Sequence, residues 1–262
     1  MEDTRKVIFV GVAFLVVVAV AVGIYYFFVY DRSEEPIPVE EVTEEIPAQV
    51  PEEIEEEEIE PLQVELDESD SLIRELAKNL SSHKKFVEWL QTKDLTRKFT
   101  AAVDNIADGL SPRYQIDFFS SEGDFEVERR EGIFYLDPES YSRYDRVADV
   151  FLSLNTKQCV RFYKRSMPLI QKAYRDLGYP DEDFNKTLTR AIIVLLKVPI
   201  VERDIALRKK VVTYMYSNPE LEHLNDAQKH LLRMGPENMQ IIQEKLRAIA
   251  LELGIPEYQL PK

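Results

Sequence analysis

The chain has 262 residues and a formal net charge of −15, with 33 Lys and Arg against 48 Asp and Glu, three His and one Cys. A single cysteine excludes an internal disulfide and is compatible with any compartment. The acid is concentrated in one place: residues 31–66 carry 15 acids and one Arg, residues 1–30 are neutral, and residues 67–262 hold only −1. The pI of about 4.8 therefore describes one segment and says nothing about partners of the rest.

Val7 to Tyr30 (VIFVGVAFLVVVAVAVGIYYFFVY) is a run of 24 residues without a charged side chain. As a helix it would measure roughly 36 Å, enough to cross a ~30 Å hydrocarbon core with some tilt. Tyr25, Tyr26, Phe27, Phe28 and Tyr30 crowd one end, where amphipathic rings favour the headgroup layer. Ala19-Val20-Ala21 has the small-x-small form of a signal-peptidase site, but seven more apolar or aromatic residues follow Gly23 where a cleavable signal turns polar. The expectation is an uncleaved signal anchor. Arg5 and Lys6 precede it, while Arg32 lies among Asp31, Glu34 and Glu35 beyond it, so residues 1–6 are expected in the cytoplasm and the bulk of the chain outside.

Residues 31–66 contain five prolines and isolated Ile and Val between the acids. Such a stretch buries too little apolar surface to offset the entropy of ordering, and its charges repel one another. It is expected to be a disordered linker, able to reach on the order of 110 to 125 Å if fully extended. Residues 67–262 are long enough for one domain with a real core.

Helical periodicity dominates this domain. Cap residues predict helices opening at Asp70, Ser82, Asp94 (closed by Gly109), Asp137-Pro138-Glu139 and Asp181 (ended by Pro199). Asn155 with Gln158 opens another, which carries Val160, Tyr163, Met167, Ile170, Tyr174 and Leu177 on one stripe; Gly178 stops it and Pro168 should kink it. Asn225 with Gln228 forms a capping box, Gly235 a left-handed stop, and Pro236 the first position of a last helix with Met239, Ile242, Leu246, Ile249 and Leu253 on its inner stripe. The Gly235-Pro236 step is thus a joint between helices, and no phosphate loop, because the Lys or Ser/Thr and further glycines of such a loop are missing. Phe125 to Leu136 alternates around Gly132 and suggests a short hairpin; Val211 to Tyr216 (VVTYMY) reads equally as a strand or a buried helical turn. The expected fold is mainly all-α, with about eight helices.

LDESDSLIREL, TAAVDNIADG, YLDPESYSRYD, LGYPDEDFN, NPELEHL and QKHLLRMGPEN, in that order behind a single span and an acidic Pro-rich linker, resemble the bacterial domain of unknown function family 3014 over about residues 62–253. The resemblance implies a bacterial origin and an envelope location, here the inner membrane with the domain in the periplasm. It brings no activity, catalytic residue or ligand.

No cofactor or metal motif is present. His223, Asp226 and His230 have ligand chemistry, yet the cap at Asn225 puts His223 outside the helix and no fourth ligand follows. His83 reads as an exposed first-turn residue, and Cys159, with no His nearby in sequence, as a small buried thiol. Glu139 in PESYSRYD is similar to the Glu-Ser-x-aromatic element of lytic transglycosylases, where a Glu acts as general acid; the helix dipole and Asp137 work against that role here, and the Gly-Leu-Met-Gln element of those enzymes is missing. Glycan cleavage by Glu139 is the competing reading to a non-catalytic interaction module. The site expected for the latter is basic: Lys157, Arg161, Lys164, Arg165, Lys172 and Arg175 with no acid between, and a second cluster at Arg208, Lys209 and Lys210. It would bind phospholipid headgroups, an acidic envelope protein or the chain's own acidic linker; nucleic acid is not expected.

Overall fold

A computed structural model describes residues 60–116 and 124–261. The span expected at Val7–Tyr30 and most of the acidic linker lie outside these residues. Among the described residues no helix is long and apolar enough to cross a membrane.

Glu60 to Leu66 runs as an extended strap with alternating exposure: Leu62 and Leu66 are buried and Val64 is half-buried, while Gln63 and Glu65 face solvent. The folded unit therefore starts before residue 67, with two leucines of the compositional linker inside its core. A 3-10 turn at Leu66–Glu68 leads into α1 (Asp70–Ala77), followed by α2 (Lys84–Trp89) and α3 (Leu95–Ala107). Beyond residue 124 come strands β1 (Val127–Arg130) and β2 (Ile133–Leu136), then α4 (Glu139–Ser142), α5 (Asp145–Ser153), α6 (Thr156–Asp176) and α7 (Phe184–Leu196). Strands β3 (Ala206–Lys209) and β4 (Tyr214–Tyr216), α8 (Pro219–Glu222), α9 (Asp226–Leu232) and α10 (Pro236–Glu252) complete the order.

The fold is mainly helical, as expected, but the single hairpin is half of a four-stranded antiparallel sheet of order β1-β2-β3-β4. Two hairpins, separated by four helices in sequence, meet along β2 and β3, where Phe134 faces Leu207 and Tyr135 faces Ala206. VVTYMY resolves as a strand from Tyr214 onward, with Tyr214 opposite Lys209 and Tyr216 opposite Leu207. Leu136, Leu207 and Tyr216 face one core, which they share with Val147 of α5, Leu231 and Leu232 of α9 and Met239 and Ile242 of α10. A second core joins α3, α6 and α7 around Tyr174 and Phe184, both fully buried. A third gathers Leu62, Leu66, Ile73, Leu169 and Ala173 beneath the strap.

Several caps differ from those read in the sequence. Asp70 is the first residue of α1 and caps α3 instead: its carboxylate accepts from the Asp94 and Leu95 amides at 2.8 and 3.0 Å. Asp94 itself sits at φ 57°, and its carboxylate turns toward Arg97 at 3.6 Å. His83, half-buried, caps α2 through Nδ1, which accepts from the Lys85 amide; Ser82 does not, and His83 is not a first-turn surface residue. Asp183, two residues past Asp181, caps α7. The helix expected over residues 139–154 breaks at Arg143 and Tyr144 into α4 and α5.

The capping box of Asn225 and Gln228 is present, and Pro236 opens α10. Gly235 has positive φ but an extended ψ, 83° and 165°, so it is no αL stop; it serves as the N-cap of α10 in a region of dihedral space open essentially to glycine alone. A Cβ there would lie 2.4 Å from Cγ of Tyr141. Buried Asn238 locks the joint, its Nδ2 donating to the carbonyls of Tyr141 and Met234 and to Asp145 Oδ1 at 3.0 to 3.1 Å.

Candidate functional site

Helix α6 is the longest in the described part, 21 residues, and it starts as the sequence indicates, with Asn155 Oδ1 accepting from the Gln158 amide at 3.0 Å. Its inner stripe buries Val160, Tyr163, Ile170 and Tyr174 and half-buries Met167; Leu177, past the last turn, is exposed. Tyr163 donates to Asn185 Oδ1 and Tyr174 bonds the Thr187 hydroxyl, each at 2.9 Å, tying α6 to α7. Burial pushes the phenols of Tyr163 and Tyr174 up.

The six bases fall on the opposite stripe. Lys157, Arg161, Lys164 and Arg175 are exposed, and Arg165 and Lys172 half-exposed. Spacings of three, four and seven residues put them within about a third of the helix circumference at 100° per residue. The structure therefore brings all six together, on the helix where the sequence placed them.

The strap lies along one border of that stripe. The Leu62 amide donates to the carbonyl of Arg165 at 3.0 Å, and Lys172 Nζ pairs with Glu65 Oε2. The hydrogen bond and charge of Glu65 raise the Lys172 pKa. One residue before the Arg165 acceptor, the carbonyl of Lys164 lacks its intrahelical donor, because Pro168 has no N–H. Farther along, Arg97 of α3 pairs with Asp67, so the turn that ends the strap is held by charge on a second helix.

The remaining candidates have other surroundings. Glu139 is exposed in a single-turn helix, its amide capped by Asp137 Oδ1 at 2.9 Å, and the Ser140 hydroxyl is spent on the Glu126 backbone. That placement lacks the burial a general acid needs. His223 is exposed at the end of α8, whereas His230 is mostly buried and meets Ser111 Oγ at 3.2 Å; no group of three metal-ligating side chains forms among the described residues. Burial, then Arg233 and Arg113, hold the His230 pKa below its ordinary value. Burial pushes the Cys159 thiol up to about 11, only partly opposed by Lys245, which disfavours the thiolate form a nucleophile needs.

Arg208 and Lys209 lie on β3, and Lys210 begins the loop to β4, whose tip exposes Val211 and Val212 almost completely. Behind this hairpin is a recess of about 190 Å³ that sequence reasoning missed, because α8, α9 and two hairpins supply its walls. Glu222 accepts from the Tyr216 amide at 3.0 Å and pairs with Lys229 at 3.4 Å. Burial pushes the Glu222 carboxyl up, but that amide and Lys229 outweigh it and hold the group below its ordinary value. A larger trough, about 440 Å³, runs open along Pro199 to Arg203 and Asn218 to Leu221.

A mainly helical domain with a small antiparallel sheet and a basic helix stripe is thus the class that fold and site define. Residues 95–250, from the start of α3 to the last turn of α10, match the model of the family described as protein of unknown function (DUF3014), and the chain belongs to that family. The matched stretch is shorter at both ends than the motif resemblance and leaves out the strap and α1. No curated protein and no solved structure matches the chain.

Proposed function

We propose that this protein is a single-pass component of the bacterial inner membrane, anchored by Val7–Tyr30 with its N-terminus in the cytoplasm, whose helical domain works in the periplasm as a non-catalytic interaction module. The observation that carries the reading is α6, which uses one stripe for two cores and turns a stripe of six bases outward. A solvated helix face on a domain of nearly balanced charge needs no such segregation, whereas a surface for an acidic partner does. The open form of the larger trough and the exposed position of Glu139 favour interaction over glycan cleavage, which needs a general acid buried in a substrate cleft.

Alkaline phosphatase fused after Lys262 tests the location. It should be active in a bacterial host, and a reporter that works only in the cytoplasm should be silent at the same point; the reverse pattern overturns the topology. Co-purification of the full chain from native membranes tests the module, which should bring down a defined protein in near-stoichiometric amount that high salt releases.

A further inference from the structure

We infer that the basic stripe of α6 is a docking surface for an acidic extended peptide, and that its occupant is the chain's own segment Glu56–Glu60, which leads into the strap from the direction of Asn155 and runs parallel to the helix. This stands whether or not the domain also binds another protein.

The register comes from two contacts already described. Leu62 meets α6 at Arg165, and Glu65 meets it at Lys172. Seven helical residues span about 10.5 Å, and three extended residues about 10 Å, so the strap follows the helix axis in the same chain direction. Each strap residue passes roughly two helix residues, which fixes where the preceding chain must go. Arg161 lies about 6 Å upstream of Arg165 and Lys157 about 12 Å, distances that two and four extended residues cover. Glu60 then falls beside Arg161 and Lys164, and Glu57 and Glu58 beside Lys157.

The sequence fits that path. EEEIE, residues 56–60, holds four acids and no base, and the helix stripe beside it holds bases and no acid. The run also lies toward the N-terminus of α6, where the peptide dipoles favour negative charge. Exposed ion pairs are each worth little, but here the partners are joined by a few residues of chain. The ordering entropy is already met in part by the buried Leu62 and Leu66, so a run of weak pairs suffices. An acidic protein that binds the stripe must displace this segment first.

Zero-length carbodiimide coupling of the full chain in detergent, read by peptide mass spectrometry, tests the register, because it joins only a lysine and a carboxylate in contact. Glu65 to Lys172 serves as the internal control. Links from Glu57 or Glu58 to Lys157 and from Glu60 to Lys164 are expected at yields comparable to the control. They should fall several-fold at about 0.5 M salt, where the Debye length is below about 5 Å. Coupling of residues 56–60 to lysines on other faces, such as Lys84 and Lys186, as often as to Lys157 overturns the docking. Loss of the control link removes the register on which it rests. Failure of the module reading would appear separately, as absence of a co-purifying protein with these links intact.

Discussion

The joint between α9 and α10 and the strap on α6 are both places where a segment is fixed against a helix, and they are fixed by opposite means. At the joint most determinants are local or dictated by sterics, namely a capping box, a glycine in a dihedral region closed to other residues and a proline at the first helical position, with buried Asn238 bonding the joint to Tyr141 and Asp145. The strap has no cap or turn; two buried leucines at the ends of an alternating stretch, one backbone bond and one ion pair hold it, the last two to residues about a hundred positions away. The first kind of constraint is strong and intolerant, the second cumulative and open to competition. That difference suits a rigid domain with one exchangeable surface.

Three substitutions sharpen the contrast. Gly235→Ala should have the largest effect, because it combines a forbidden dihedral with a Cβ inside the Tyr141 ring; a loss of about 3 kcal/mol or more is expected. For a domain of this size that lowers Tm by roughly 6 to 12 °C in a thermal melt. Leu62→Ala should cost about 2 kcal/mol, a drop of roughly 4 to 8 °C, by emptying the core under the strap. A change inside about 0.5 kcal/mol would make the strap a surface appendage and erase the comparison.

The smallest effect is a pH dependence at the α9 end of the joint. His230 is held neutral by burial and by two arginines, so its folded pKa lies below the unfolded value near 6.5. Its contribution is present in full above that value and is lost as pH falls through the folded pKa. Tm should decline between about pH 7 and pH 5, and His230→Gln should flatten that part of the profile. An unchanged slope in the variant would assign the decline to other groups.

Much of the helical scaffold was legible because its signals are short-range: the stripes of α6 and α10, the capping box at Asn225, and glycines past helix ends. Errors of one or two residues arose where acids compete, as at Asp181 and Asp183, or where an acid serves a different helix, as Asp70 does for α3. Strand β3 was invisible, since ALRK neither alternates nor is bounded by turn residues, and its pairing with β2 bridges four helices of intervening chain. The strap was hidden by composition: Leu62 and Leu66 sit at the end of an acidic run whose average argues for a linker. The six bases of the candidate site were readable, because a charge stripe on a helix depends on period alone. The recess at Glu222 was not, because its walls come from segments that only the tertiary fold brings together.

The account turns on α6 having one face for the core and one for an acidic ligand. The direct test is photo-crosslinking of the full chain in native membranes, comparing wild type with Lys157→Glu/Lys164→Glu/Arg175→Glu, with a melt of each purified protein as companion. The account predicts a discrete adduct in wild type that disappears in the variant, while the melts agree within about 0.5 kcal/mol, as expected for exposed side chains. An adduct retained at full yield in a folded variant would contradict it.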